Sequence, residues 1–361
     1  MLSIAIATLV QLAQVTQVAS AHEQVAKAAA GLMVGLSDTE HALACAAFTD
    51  PRRTQWNYLP GPRFGVRLDQ LDEGSAADLT ALLSTLHSAR GLAKVCGIHD
   101  LEAFLGRARP GSYSRGAYTL AMFGDPSVAG AAWGFRYEGH HLSLNYTAPA
   151  GGSPEPAGGS PAPTGAADAH RHEIAVTPMF LGTAPFAVPD GKTAGERPLL
   201  EERDRAFELL RSLTPEEKSR AILSESTPPD VTAGPPAKSF DAPRGITYAS
   251  LNPAQQAKML ALIGVYATRL RGELADAELA RAKEAGLDAI HFAWMGSDTA
   301  ERPHYYRIQG PTLLIEFDCT SGTVDHAHTV WRDPTRDFGV DPLAEHRRDN
   351  HAATPGTGAK P

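Results

Sequence analysis

The sequence is poor in the features that assign a function by themselves. Only three cysteines occur in 361 residues. Cys45, Cys96 and Cys319 are far apart, odd in number and form no C-x-x-C, so neither a disulfide framework nor a thiolate zinc site is indicated. Positive charge is in deficit as well: 33 Lys and Arg against 41 Asp and Glu give a formal net charge of -8. This excludes the basic footprint of a nucleic-acid binder and offers little to an anionic membrane surface. Beyond the N-terminus, nothing approaches the ~20 apolar residues of a membrane span. The G-x-S-x-G elbow, the P-loop, H-E-x-x-H and a helix-opening G-x-G-x-x-G are all missing.

What is present is ordinary for a globular protein. With 43% hydrophobic and 20% charged residues, the chain can bury a core in one large or two medium domains. A small-molecule substrate is the expected partner, and oligomeric state is not encoded. Residues 1–24 read in two ways. "MLSIAIATLV" followed by "ASA" resembles a signal peptide, which would make the protein secreted. No Lys or Arg precedes Ala21, however, and Gln11, Gln14 and Gln17 interrupt the apolar run, which favours a helix and a cytoplasmic protein.

Helices are announced by their starts. "SDTE" (Ser37 to Glu40) and "TPEE" (Thr214 to Glu217) are capping boxes, and Asn252 caps a helix that spaces Leu260, Ile263 and Leu270 around one face. Residues 148–169 are rich in Gly, Pro and Ala and read as a mobile insert. Residues 227–245 read as a linker, and 347–361 as a disordered tail.

The linker divides two similar halves, 25–226 and 246–346. "RYEGHHLSLNYT" (Arg136 to Thr147) aligns without gaps to "RIQGPTLLIEFD" (Arg307 to Asp318). The match extends upstream through Gly124 and Gly296 to Leu71 and Leu251, and downstream it sets "HRHEIAVTP" beside "HAHTVWRDP". The expectation is an α+β fold of two fused αβββ units from an internal duplication, with antiparallel β-layers packed against amphipathic helices.

On such strands Leu142, Leu144 and Tyr146, like Leu313, Ile315 and Phe317, mark the core side. The other side carries His141, Ser143 and Asn145, and in the second unit Thr312, Glu316 and Asp318; these short hydrogen-bonding groups suggest a lined pocket. His326 and His328 are two apart and project from one strand face ~7 Å apart. An H-x-H pair commonly gives two imidazoles to one metal ion, with a third ligand from His141, or from His140 if the chain bulges at Gly139. His291 and His304 are further candidates, and His170 and His172 belong to the insert. Histidines on a strand also serve as hydrogen-bonded structural residues, and both readings stand here. Arg136, Arg307 and Tyr305 are candidates for binding a substrate with Ser143 and Asn145; Arg332 is a further candidate. For the arginines, ion pairing with Glu138 or Asp333 competes.

"WNYLPGPRFGVRL", "FRYEGHHLSLNYT", "VTPMFLG", "DAIHFAW", "HYYRIQGPTLLIEFD" and "HAHTVWRDP" together resemble the bacterial and fungal family called domain of unknown function 3500, over about residues 25 to 346. The family has no assigned activity, so the resemblance implies a shared site without naming a reaction. Many members look secreted, which favours a signal peptide. This chain departs in its insert after Thr147 and in "DCTSGTVDHAH", where relatives tend to read Asn and Gln.

The functional expectation is a metal-dependent enzyme, hydrolytic by default, with a divalent zinc, iron or copper ion held by His140, His141, His326 and His328, and with Glu138 or Glu316 as the proton-transfer group. The alternatives are a non-catalytic small-molecule-binding protein and an iron or copper oxidoreductase using the same histidines.

Overall fold

A computed structural model describes residues 20–109, 113–150, 174–237 and 240–339. Residues 1–19, most of the Gly/Pro insert with His170 and His172, and the tail lie outside the described residues. Among the described residues no helix is long and apolar enough to cross a membrane.

The first half runs α1 (Ala21–Gly35), α2 (Asp38–Ala44), β1 (Cys45–Ala46), β2 (Val66–Arg67), α3 (Glu73–Leu86), α4 (Ala89–Ala108), β3 (Thr119–Phe123), β4 (Trp133–Gly139), β5 (Leu142–Ala148) and β6 (Met179–Thr183). The chain continues, still ahead of the expected linker, through α5 (Leu200–Ser212), α6 (Pro215–Ala221) and β7 (Ile222–Ser224), and then through β8 (Ile246–Thr247), α7 (Pro253–Ala267), α8 (Gly272–Glu284), β9 (His291–Gly296), β10 (His304–Gln309), β11 (Leu314–Cys319) and β12 (Ala327–Arg332).

The start signals act as their chemistry requires. In α2 and α6 the Ser37 and Thr214 hydroxyls accept from the backbone N–H groups of Glu40 and Glu217, whose carboxylates reach back. Asn252 caps α7 in the same way with Gln255. The inward face of α7 is set by Met259, Leu262, Ile263 and Tyr266; Leu260 points outward and Leu270 lies beyond the helix end.

All twelve strands join one mostly antiparallel sheet, ordered β1-β3-β4-β5-β6-β12-β11-β10-β9-β7, with β2 on β3 and β8 on β9. The β-structure is thus one continuous sheet rather than two layers, and each half supplies a four-stranded meander where three strands were expected. The halves meet edge to edge where β6 pairs with β12, from Ala327 opposite Thr183 to Trp331 opposite Met179. The expected match of residues 170–178 to 326–334 does not survive this register: β6 begins after Pro178, whereas β12 ends before Pro334.

Both sheet faces are buried. Leu142, Leu144, Tyr146, Leu313, Ile315 and Phe317 enter the main core with the helices, as their alternation predicts. The opposite face is covered by Trp56, Tyr58, Val231, Ala233 and Phe338, which pack on Phe180, Leu314 and Val330. Val231, Ala233 and Phe240, whose surroundings read as a linker by composition, are therefore part of the packing.

Three histidines are buried in the apolar structure away from this face. Burial holds His87 and His304 at about 4 and His99 at about 3, below the ordinary 6.5. A chain that unfolds frees them to bind protons, so their contribution is complete above about pH 6.5 and is lost as pH falls toward 4. We expect unfolding free energy from denaturant titration to fall between pH 7 and pH 4.5, by roughly 2 kcal/mol for each such histidine. A His99→Phe variant that folds should show a shallower fall; an unchanged slope would contradict a neutral buried His99.

Candidate functional site

The residues Gly139 and Leu142 are paired at the end of β4 and β5, so His140 and His141 form the two-residue hairpin turn rather than positions along a strand. His141 has φ 62°, the left-handed conformation that such a turn needs and that a non-glycine residue adopts at some cost. Two backbone bonds hold it there: its N–H donates to Tyr58 O at 3.0 Å, and its C=O accepts from Gly182 N at 2.7 Å. The turn thereby lays the His141 ring over β6. Gly182 is the floor, because a Cβ there would lie 2.8 Å from His141 Cδ2 and 2.9 Å from His328 Cδ2.

His328 stands opposite Gly182 on β12, and His326 precedes it by two residues on the same face. His141, His326 and His328 each offer a nitrogen, and the three lie within 4.8 Å of one another. His141 Nε2 and His326 Nε2 are hydrogen-bonded at 2.9 Å across 185 residues of sequence. Burial holds both below the ordinary value, His326 at about 4, so both are neutral at pH 7 and one Nε2 is a donor while the other accepts. His326 is the partly exposed member, so the group opens on its side.

His328 differs. Its Nδ1 lies 2.8 Å from Asp230 Oδ1 and 3.4 Å from Asp318 Oδ2. Burial opposes its charge, but the two carboxylates raise its affinity for a proton. Burial also pushes the Asp318 carboxyl up. Asp230 lies in "TPPDV", whose Pro-rich composition concealed it; its side chain also accepts from the Tyr58 hydroxyl at 2.9 Å.

The other candidates are placed elsewhere. His140 stacks on His141 with ring centroids 3.7 Å apart, and its Nδ1 is 2.8 Å from Glu102 Oε2, so it flanks the three-histidine group without joining it. His291 and His304 bond to nearby backbone carbonyls on the far meander. Glu316 is saturated: it accepts from Arg307 Nε at 2.9 Å, the Tyr305 and Thr232 hydroxyls, and the backbone N–H groups of Thr232 and Ala233. Glu138 pairs with Arg136 Nε at 2.9 Å and accepts from Asn57 N and Ser143 Oγ. Both carboxylates hold the covering segments to the sheet, which leaves them poorly placed for the proton transfer expected of them. The Arg136 guanidinium also reaches the carbonyls of Arg52 and Arg53. Asn145 donates to Ser143 Oγ and Pro178 O. Arg136, Arg307, Tyr305, Ser143 and Asn145 are thus engaged with the protein itself, and Ser143 and Asn145, expected to line a pocket, are buried.

Replacing Gly182 by Ala should push the His141 and His328 rings off β6. Side-chain nitrogen NMR would show it as shifted His141 and His328 resonances in a folded protein; unshifted resonances would mean that the rings do not rest on β6.

No curated protein and no solved structure matches this chain significantly. A family model described as a protein of unknown function, DUF3500, matches residues 18–340. That match covers nearly the whole chain, the hairpin turn, His326 and His328 included, and the chain belongs to the DUF3500 family.

Proposed function

We propose that the protein is a metal-dependent enzyme whose ion is held by His141, His326 and His328. The observation that carries this reading is the convergence of three imidazole nitrogens within 4.8 Å from distant parts of the chain. Ligands at 2.0–2.1 Å around a tetrahedral ion are about 3.4 Å apart, so modest ring rotations suffice. An ion held by these three residues would be reached from the side of His326, the partly exposed member. A divalent ion there supplies a polarised water or substrate oxygen, which suits hydrolysis of a small-molecule substrate. In this reading the proton-transfer group is His140, which the Glu102 carboxylate orients beside His141.

The recurring element order also supports an internal duplication. Twice along the chain a boxed short helix leads into a strand that pairs parallel with the first strand of a meander, β1 on β3 and β7 on β9. Superposing 119–147 on 291–318 is the check: Arg136 should fall on Arg307 and Gly139 on Gly310, and a slipped register would sink the idea.

Elemental analysis of the purified protein by plasma mass spectrometry tests the metal. We expect near-stoichiometric zinc, iron or copper in the wild type and its loss from a folded His326→Ala, His328→Ala double variant. Iron or copper would turn the reaction class toward oxidation. Metal-free wild type that also refuses all three added ions would overturn the reading. Glu316→Gln serves as the contrast: it should keep the metal while lowering stability by roughly 2–4 kcal/mol, since it breaks a buried ion pair and unseats the covering segment.

A further inference from the structure

We infer that Asp230 and Asp318 are positioning residues for the three-histidine site, and that Tyr58 ties Asp230 to its opposite side. The inference rests on the metal reading above. An imidazole with two rotatable bonds presents either nitrogen to a site, and only a partner for one nitrogen decides which the site receives. His328 Nδ1 has such a partner in Asp230 Oδ1, hydrogen-bonded at 2.8 Å, and Asp318 Oδ2 is a second, looser ionic neighbour at 3.4 Å. Asp318 is fixed by strand register, because it pairs with His328 across β11 and β12. Asp230 arrives independently, from the segment that covers the sheet. With Nδ1 bonded to Asp230 and turned toward Asp318, Nε2 is the nitrogen left for His141 and His326, and it is buried with no hydrogen-bond partner among the described residues. On giving up its proton, that nitrogen would present a lone pair to the space it shares with the other two imidazoles. The anionic partners also make the imidazole a stronger electron-pair donor.

Tyr58 completes the frame. Its ring stacks on Phe180 at 3.9 Å between centroids, its carbonyl accepts the His141 N–H, and its hydroxyl donates to Asp230. One residue therefore fixes the backbone of one ligand and the carboxylate that orients another.

The test is affinity for zinc and cobalt(II), measured by chelator competition on the full chain after metal removal, with thermal unfolding of the metal-free protein alongside. Asp230→Asn and Asp318→Asn should each weaken both ions ~10–100-fold. Tyr58→Phe keeps the stacked ring and so keeps the fold; its loss should be smaller than that of Asp230→Asn. The visible absorption of bound cobalt should also shift in the Asp variants, a change of donor strength that a merely loosened segment would not produce. Wild-type binding with unchanged affinities and spectrum in all three folded variants would overturn this inference and leave the three-histidine reading intact. A wild type that binds neither ion would overturn both.

Discussion

The pairing of β6 with β12 is the constraint on which the rest of the structure depends. It closes ten strands of the path into one sheet and sets Gly182 against His328. Because β6 also pairs with β5, the hairpin turn at His140 and His141 is carried to the same place. A slip of one residue along this seam would turn His328 to the helix-covered side and put Thr329 in its place. The site is therefore a product of register more than of local sequence.

The face that carries the histidines is unusual in being both charged and covered. Arg136, Glu138, Glu316, Asp318 and Arg332 are all buried, at a solvation cost that only close pairing offsets. The pairing is supplied by the covering segments themselves. Glu138 takes the Asn57 N–H, Glu316 takes those of Thr232 and Ala233, and Arg332 donates to the Ala233 and Ala237 carbonyls. Irregular backbone over a sheet leaves unpaired N–H and C=O groups, and these side chains satisfy them. The charges thus explain how loops can lie where a second layer of helices would otherwise be needed.

The sequence carried the elements that depend on neighbours along the chain. Capping boxes at Ser37 and Thr214, the cap at Asn252, the apolar alternation at Leu142 and Leu313, and the shared face of His326 and His328 are all short-range signals, and each has its counterpart in the structure. The choice of His141 over His140 was not readable, because a two-residue turn breaks the alternation that assigns faces. Asp230 was hidden for a different reason: Pro-rich composition describes a segment's stiffness, not what its one acidic side chain meets. The expected roles of Glu138 and Glu316 came from residue type alone, and only the three-dimensional inventory of donors around them shows that their oxygens are already engaged. The same holds for the number of strands, since β6 follows the insert and carries no period of its own.

The contact between His141 and His326 spans 185 residues. The cysteines Cys45, Cys96 and Cys319 are free, so no covalent link of comparable reach is made among the described residues. An ion shared by those imidazoles would act as a reversible staple between the two halves. Closing so long a loop removes far more disorder from the unfolded chain than a local clip does, although the gain grows only with the logarithm of its length. His141 and the His326–His328 pair come from different meanders, so such a staple would form only after both meanders are built and joined. Occupancy of the site would then mark the last step of assembly as well as the first step of chemistry.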